Sequence, residues 1–307
     1  SGVPHVSVRF PAVLCWLHVL HILARTPEEQ EDGVGFKYCL NTSTILANGQ
    51  TVLDEIDVAA EAGYAGIEPW VKDLDAFVDG GGTLDEVREK AVSRNLQIVN
   101  LIAFPEWAVP EDDRRAEGME EAERCLAIAK ALNCPYLATP PRGIHDRVVD
   151  LRAVPERFAA VVDLAEGYGV TPLVEYWGIA QTLGTTGEAL FVASECGRPN
   201  VQILADVFHM WKGSGHHHGF EHFGPGKLGL IHVNDYPETP GRDTVTDADR
   251  VYPGDGLADW KQIVSDLNTL GYDGYLSLEL FNESYWAKGA RVVAREGIKK
   301  LKACVEG

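Results

Sequence analysis

Eight short apolar runs, each followed by a stretch long enough for a helix, constrain this chain more than any other feature. They read GFKYCLN (35–41), AGIEPW (65–70), QIVNLIAF (97–104), PYLAT (135–139), TPLVEY (171–176), VQILADV (201–207), LGLIHVND (228–235) and GYLSLEL (274–280). Such near-continuous runs of Val, Ile, Leu and Tyr suit strands covered on both faces. Between them, segments such as TVLDEIDVAAEAGYAG, TLDEVREKAVSRN, EGMEEAERCLAIAKALN, VPERFAAVVDLAEGYG and DWKQIVSDLNTLGYDG repeat apolar residues every three or four positions. That is helical spacing, and in the first segment a glycine closes the helix. Strand starts fall about 27 to 46 residues apart, the length of a βα unit. Eight units close into an α/β fold of the (β/α)8 TIM barrel type. An open doubly wound sheet would hold phosphates on a GxGxxG or GxxxxGKS/T turn after its first strand, and neither motif is present.

The barrel accounts for residues 34–307, which leaves residues 1–33 as an N-terminal extension. Its apolar run Ala12–Ala24 is well short of the ~20 residues that span a bilayer. No small-x-small cleavage site follows it, so a short amphipathic helix joined by an acidic linker ending at Gly35 is expected. With 27 basic and 46 acidic residues the formal charge is −19. Such a surface repels a nucleic-acid backbone or an anionic membrane, so neither is expected as a partner. Six cysteines at positions 15, 39, 125, 134, 196 and 304 form no CxxC pair, which reads as reduced thiols in a cytoplasmic protein.

Catalytic groups of such barrels come from the C-terminal ends of strands. Here Glu175 ends LVE, Asp206 ends ILAD, His232 sits in LIHVND and Glu279 ends LSLE. One carboxylate at a strand end is commonly a solvated loop residue or a helix cap. Four polar groups at equivalent places of four consecutive units would repel one another unless a cation sat among them. The oxygen-rich set with one imidazole suits Mn²⁺, Co²⁺, Zn²⁺ or Mg²⁺. His209, three residues beyond Asp206, is expected beside this site, as a contact to substrate, a support for a ligand, or a packing histidine. Arg250, in the loop VTDADRVYPGDG, either clamps a substrate oxygen and balances the acidic site or pairs with Asp247 at the surface. Asn41, Glu68 and Asn100 end the first three strands and are expected to line the opposite wall of the pocket. Trp70, Trp107, Trp177 and Trp211 either face a sugar-like ring or pack internally. The run GSGHHHGFEHF (213–223) has a metal-binding composition, but adjacent histidines seldom converge on one ion, and a solvated loop is expected.

In order, the segments LVEYWG, ADVFHMW, LIHVND, DRVYPGDG and LSLELFNESYW resemble the xylose-isomerase-like barrel superfamily of sugar isomerases and epimerases, with the greatest similarity to its inosose isomerases. The resemblance spans residues 34–304, and TDADRVYPGDG and SLELFNESYW carry most of its specificity. It implies that Glu175, Asp206, His232 and Glu279 ligate one divalent metal ion. It also implies that Glu175 and Glu279 flank the reacting carbons as catalytic groups, and that His209 and Arg250 touch the substrate. The substrate would be a small sugar or inosose, and a homo-oligomer is compatible with this reading. The HHH run and the rim around Glu283 depart from the family's pattern. The same residues permit isomerisation, epimerisation or, as in inosose dehydratases, loss of water. A sugar-binding barrel without chemistry and a DNA-repair endonuclease are the remaining alternatives. The latter requires a basic surface that this chain lacks. FNESYWAKG after the eighth strand has no glycine-rich phosphate turn, so an unphosphorylated substrate is expected. For a phosphorylated one, Arg142, Arg147 or Lys212 would be the clamp.

Overall fold

The computed structural model describes residues 35–46 and 50–307, so the expected N-terminal helix lies outside the described residues. Nine strands form one parallel sheet: β1 (Lys37–Asn41), β2 (Gly66–Glu68), β3 (Gln97–Ile98), β4 (Asn100–Leu101), β5 (Tyr136–Thr139), β6 (Thr171–Glu175), β7 (Gln202–Asp206), β8 (Leu228–Val233) and β9 (Tyr275–Leu278). Their order is β3-β2-β1-β9-β8-β7-β6-β5-β4. The two outermost strands are consecutive pieces of the single run expected over 97–104, interrupted at Val99. The sheet therefore closes into the expected barrel through that interruption, with β3 pairing to β2 and β4 to β5.

Among the described residues, ten α-helices complete the layer around the sheet: α1 (Val52–Ala62), α2 (Val71–Asp79), α3 (Leu84–Ser93), α4 (Asp112–Ala131), α5 (Val154–Glu166), α6 (Thr186–Glu195), α7 (Val207–Ser214), α8 (Trp260–Leu270), α9 (Glu283–Trp286) and α10 (Ala290–Glu306). Local sequence sets their ends. Thr51 and Asp54 form a reciprocal capping box at the start of α1, and Gly63 ends it at φ 93°, a left-handed conformation that a β-carbon would strain.

The strands bury two separate apolar layers. Residues on their outer faces, such as Leu40, Ile67, Val174, Ile203 and Ile231, join the helices in one large core. Inward-facing Cys39, Val99, Ala138, Leu173, Leu204 and Leu230 make a smaller plug inside the barrel. Side chains alternate along a strand, so the residue two places beyond each plug position faces the same axis one layer higher. Leu173, Leu204 and Leu230 are thereby followed by Glu175, Asp206 and His232. Five described cysteines are free thiols, four of them buried. Among the described residues no helix is long and apolar enough to cross a membrane.

Candidate functional site

The polar layer above the plug brings three of the four expected ligands together. Asp206 and His232 are register partners on neighbouring strands, and Glu279 follows directly on β9. One ligand atom from each of Asp206, His232 and Glu279 lies within 4.8 Å of the others, and all three residues are buried. Glu175 is not part of this triad. It lines the same cavity, where its Oε1 accepts a hydrogen bond from Trp177 Nε1 at 3.0 Å.

Each member is held from behind. Asp206 caps α7, its Oδ1 accepting from the His209 backbone at 2.8 Å, while its Oδ2 accepts from Asn234 Nδ2 at 3.1 Å. Glu279 Oε1 accepts from Asn41 Nδ2 at 2.8 Å. His232 turns Nε2 toward Glu68 Oε2 at 3.2 Å. Its Nδ1 stands 3.1 Å from Glu279 Oε2 and 3.9 Å from Asp206 Oδ2 without a well-aligned hydrogen bond. A buried imidazole nitrogen left unbonded between two carboxylates fits a divalent cation, as does the mixed oxygen and nitrogen donor set.

Arg250 is 1% exposed, so it is no surface residue, although it does pair with Asp247. Its Nη1 donates to Asp206 Oδ2 at 3.0 Å and Glu279 Oε2 at 2.9 Å, and its Nη2 lies 3.1 Å from His209 Nε2. The guanidinium also lies over the Phe208 ring at 4.6 Å. The loop that delivers it is fastened by the fully buried Asp235. The Asp235 carboxylate accepts from the backbones of Tyr236, Gly254 and Ala258 and from Trp260 Nε1, while its main chain bridges to Val251. A β-carbon at Gly256 would fall 2.3 Å from Asp235 Oδ1, so this turn needs glycine.

These charges separate the two glutamates. Burial raises the Glu279 carboxyl, but His232 and Arg250 beside it outweigh that and hold Glu279 down to about 2. Burial also raises Glu175; the pull of His232 only partly offsets it, and the negative charges of Glu279 and Asp206 add to it, bringing Glu175 to about 8. His232 is raised despite its burial, because Glu279 and Glu68 face it. His209 is lowered by burial, its largest influence.

The cavity above the cluster has a volume of about 200 Å³. His209, Arg250 and Asp247 lie on one side of it, and Trp70, Ile102, Phe104, Trp177, Ile179 and Phe281 supply apolar surface. Trp70, Phe104 and Trp177 form a row, with ring centroids 5.2 Å and 6.1 Å apart.

Three expected wall residues are not on the wall. Asn41, Glu68 and Asn100 are all 0% exposed and face inward, where they bond Glu279, His232 and Glu68 respectively. None of the three is among the residues that line the cavity, where the first half of the barrel is represented by Trp70, Ile102 and Phe104 just past its strands. Of the four tryptophans, Trp70 and Trp177 reach the cavity, Trp107 is packed in the core against Phe158, and Trp211 stacks on Tyr236 at 3.8 Å. The histidine run is not wholly solvated: His218–His222 is a 3₁₀ turn, and His217 points inward to the Val207 carbonyl at 3.2 Å. Sequence reasoning missed Phe104, Ile179, Phe281 and Asp235. A bulky apolar residue just past a strand end was the available signal for the first.

Comparison with known proteins follows the same outline. The family described as "Xylose isomerase-like TIM barrel" matches residues 56–304. An inosose isomerase of Halalkalibacterium halodurans is 28% identical over 272 residues, covering 87% of this chain and 94% of that protein. A 3-dehydroshikimate dehydratase of Pseudomonas aeruginosa is 26% identical over 84% of this chain and 40% of its own length. Among solved structures, an "IOLI protein with a binding zinc atom" superposes with a TM-score of 0.81 at 22% identity, over 88% of this chain and 98% of that one.

Proposed function

This chain belongs to the xylose isomerase-like TIM barrel family, and on that premise we propose that it is a metal-dependent isomerase of an unphosphorylated polyol ketone of the inosose class. The observation that carries the reading is the meeting of Asp206, His232 and Glu279 within 4.8 Å, with Glu175 in the same cavity. Similarity to inosose isomerases along nearly their whole length supports the substrate class. Asp206, His232 and Glu279 would hold the ion, and Glu175 would complete the set. When bound, a divalent ion such as Zn²⁺, Mn²⁺, Co²⁺ or Mg²⁺ would polarise a carbonyl and its neighbouring hydroxyl and make the C–H between them acidic.

The chain's own residues supply the remainder. The Glu279 and Glu175 carboxyls border the same cavity and are suited to take a carbon-bound proton and return one. Arg250 and His209 border the cavity; Arg250, held by its carboxylates, fixes His209 Nε2, and His209 Nδ1, which has no partner, can meet a substrate oxygen. The aromatic row offers a flat surface to the C–H face of a ring. Among the described residues that line the cavity Arg250 is the one cationic side chain besides the histidines, and it is engaged by three carboxylates. Arg147 is paired with Glu111, and Lys212 with the carbonyls of the 242–243 loop. This supports a substrate without phosphate.

The same proton abstraction beside a leaving hydroxyl would end in dehydration, and the similarity to 3-dehydroshikimate dehydratases favours this as the second reading. Incubation with inososes and with 3-dehydroshikimate, read by NMR, distinguishes the two. Interconverted inosose isomers with their water content intact are expected. Formation of an ultraviolet-absorbing dehydrated product in their place would overturn the isomerase reading.

A further inference from the structure

We propose that Glu68 is a positioning residue of the metal centre, a buried carboxylate that fixes the proton of His232 on Nε2 and so presents the Nδ1 lone pair to the ion. The inference rests on the reading that Asp206, His232 and Glu279 hold a divalent cation. Glu68 ends β2, three strands around the barrel from β8, yet its Oε2 lies 3.2 Å from His232 Nε2. Only one imidazole nitrogen carries hydrogen in the neutral ring. Nδ1 is the nitrogen that faces Asp206 and Glu279, so for it to ligate an ion between them the hydrogen has to sit on Nε2, where Glu68 Oε2 can accept it. Nδ1, which has no aligned hydrogen-bond partner, is then the free donor pointing at Asp206 and Glu279.

Two further contacts show that Glu68 is set in place. Asn100 Nδ2 donates to Oε2 at 2.7 Å, and Ser277 Oγ donates to Oε1. Glu68, Asn100 and Ser277 are all 0% exposed. Ser277 is the register partner of His232 and stands two residues before Glu279, on the same inward face of the chain. One strand thus anchors the orienting carboxylate and leads into a ligand. A buried polar group is costly unless it is bonded, and these three partners satisfy the Glu68 side chain. Partners of this kind raise the basicity of a ligating imidazole, and their loss lowers metal affinity about 10- to 100-fold.

Glu68→Gln keeps the shape and removes the charge, and Ser277→Ala loosens the carboxylate without touching His232. Chelator-stripped wild type and both variants would be titrated with Co²⁺ alone by calorimetry, with the visible Co²⁺ absorption recorded at saturation. Thermal melts of the stripped proteins would establish the folded fraction. The expected result is at least a tenfold loss of Co²⁺ affinity per folded molecule for Glu68→Gln, an altered absorption band, and a smaller loss for Ser277→Ala. If Glu68→Gln does not fold, the Ser277→Ala affinity and band decide alone. A loss below tenfold for folded Glu68→Gln, or unchanged affinity and spectrum in Ser277→Ala where that variant decides, overturns the proposal. Failure of the wild type to bind Co²⁺ would instead overturn the metal reading on which it rests.

Discussion

The two halves of the barrel mouth are built alike and do different work. On β6 to β9 the last inward-facing residues are Glu175, Asp206, His232 and Glu279, and they reach the cavity or the cluster beneath it. On β1, β2 and β4 the corresponding polar residues are Asn41, Glu68 and Asn100; Asn41 and Asn100 bond side chains of neighbouring strands, and Glu68 reaches His232 on β8. What the first half gives the cavity is apolar surface alone, through Trp70, Ile102 and Phe104 beyond the strand ends, whereas the other half adds Trp177, Ile179 and Phe281 to its polar groups. A polar residue at a strand end is therefore not enough to define a substrate contact. Its height along the barrel decides whether it faces the pocket or holds something that does.

The sharpest way to break this division is to remove charge from the ligand half. Glu279→Gln and Glu175→Gln each retain an oxygen donor and lose the base. Each is expected to lower kcat about 10²-fold or more while KM changes little. Steady-state kinetics on the metal-loaded protein checks this, and a full wild-type kcat in either variant would remove that glutamate from the proton path.

A substitution on the apolar wall should behave in the opposite way. Phe104 is 37% exposed at the cavity edge and packs on Trp70 and Trp177. Phe104→Ala is expected to raise KM about two- to tenfold, from the loss of aromatic contact, with kcat nearly unchanged. A fall in kcat at constant KM would show that the wall takes part in the chemistry.

The smallest expected effect separates two buried carboxylates of the first half. Glu68 has three polar partners, whereas Glu55 on α1 is 3% exposed and leaves Oε2 unbonded. Burial, with a further push from Asp73, raises Glu55 from an ordinary value near 4.5 to about 8, against the opposing pull of Lys72. Below pH 4.5 the group is protonated in folded and unfolded chains alike. Between 4.5 and 8 only the unfolded chain ionises, so Glu55 lowers stability as pH rises through that window. Glu55→Gln should therefore gain Tm relative to wild type at pH 8 and not at pH 4.5. Parallel Tm curves across the window would contradict the unpaired state of Glu55.

Much of this architecture was legible before any coordinates. The apolar runs TPLVE, QILAD and LGLIHV mark their strands, and the polar residue at or near the end of each marks the rim; that the leucine two places earlier belongs to the plug emerges from the fold. The closing interruption at Val99 was not legible, because a barrel seam is set by the whole ring rather than by the local run. Glu68 was misjudged for a related reason. GIE looks like LVE in sequence, but its partners come from β4, β8 and β9. The inward turn of His217 likewise depends on Val207 and Tyr236, which lie 10 and 19 residues away in sequence.

The central claim is that one divalent ion, held by Asp206, His232 and Glu279 with Glu175 beside them, is needed for proton transfer at carbon. It is tested most directly by following deuterium uptake from D2O into an inosose by NMR, with protein stripped by chelator and then restored with one equivalent of Zn²⁺, Mn²⁺ or Co²⁺. The account predicts no uptake above background by the stripped protein and recovery at about one ion per chain. Undiminished exchange by a protein shown by elemental analysis to be free of metal would contradict it.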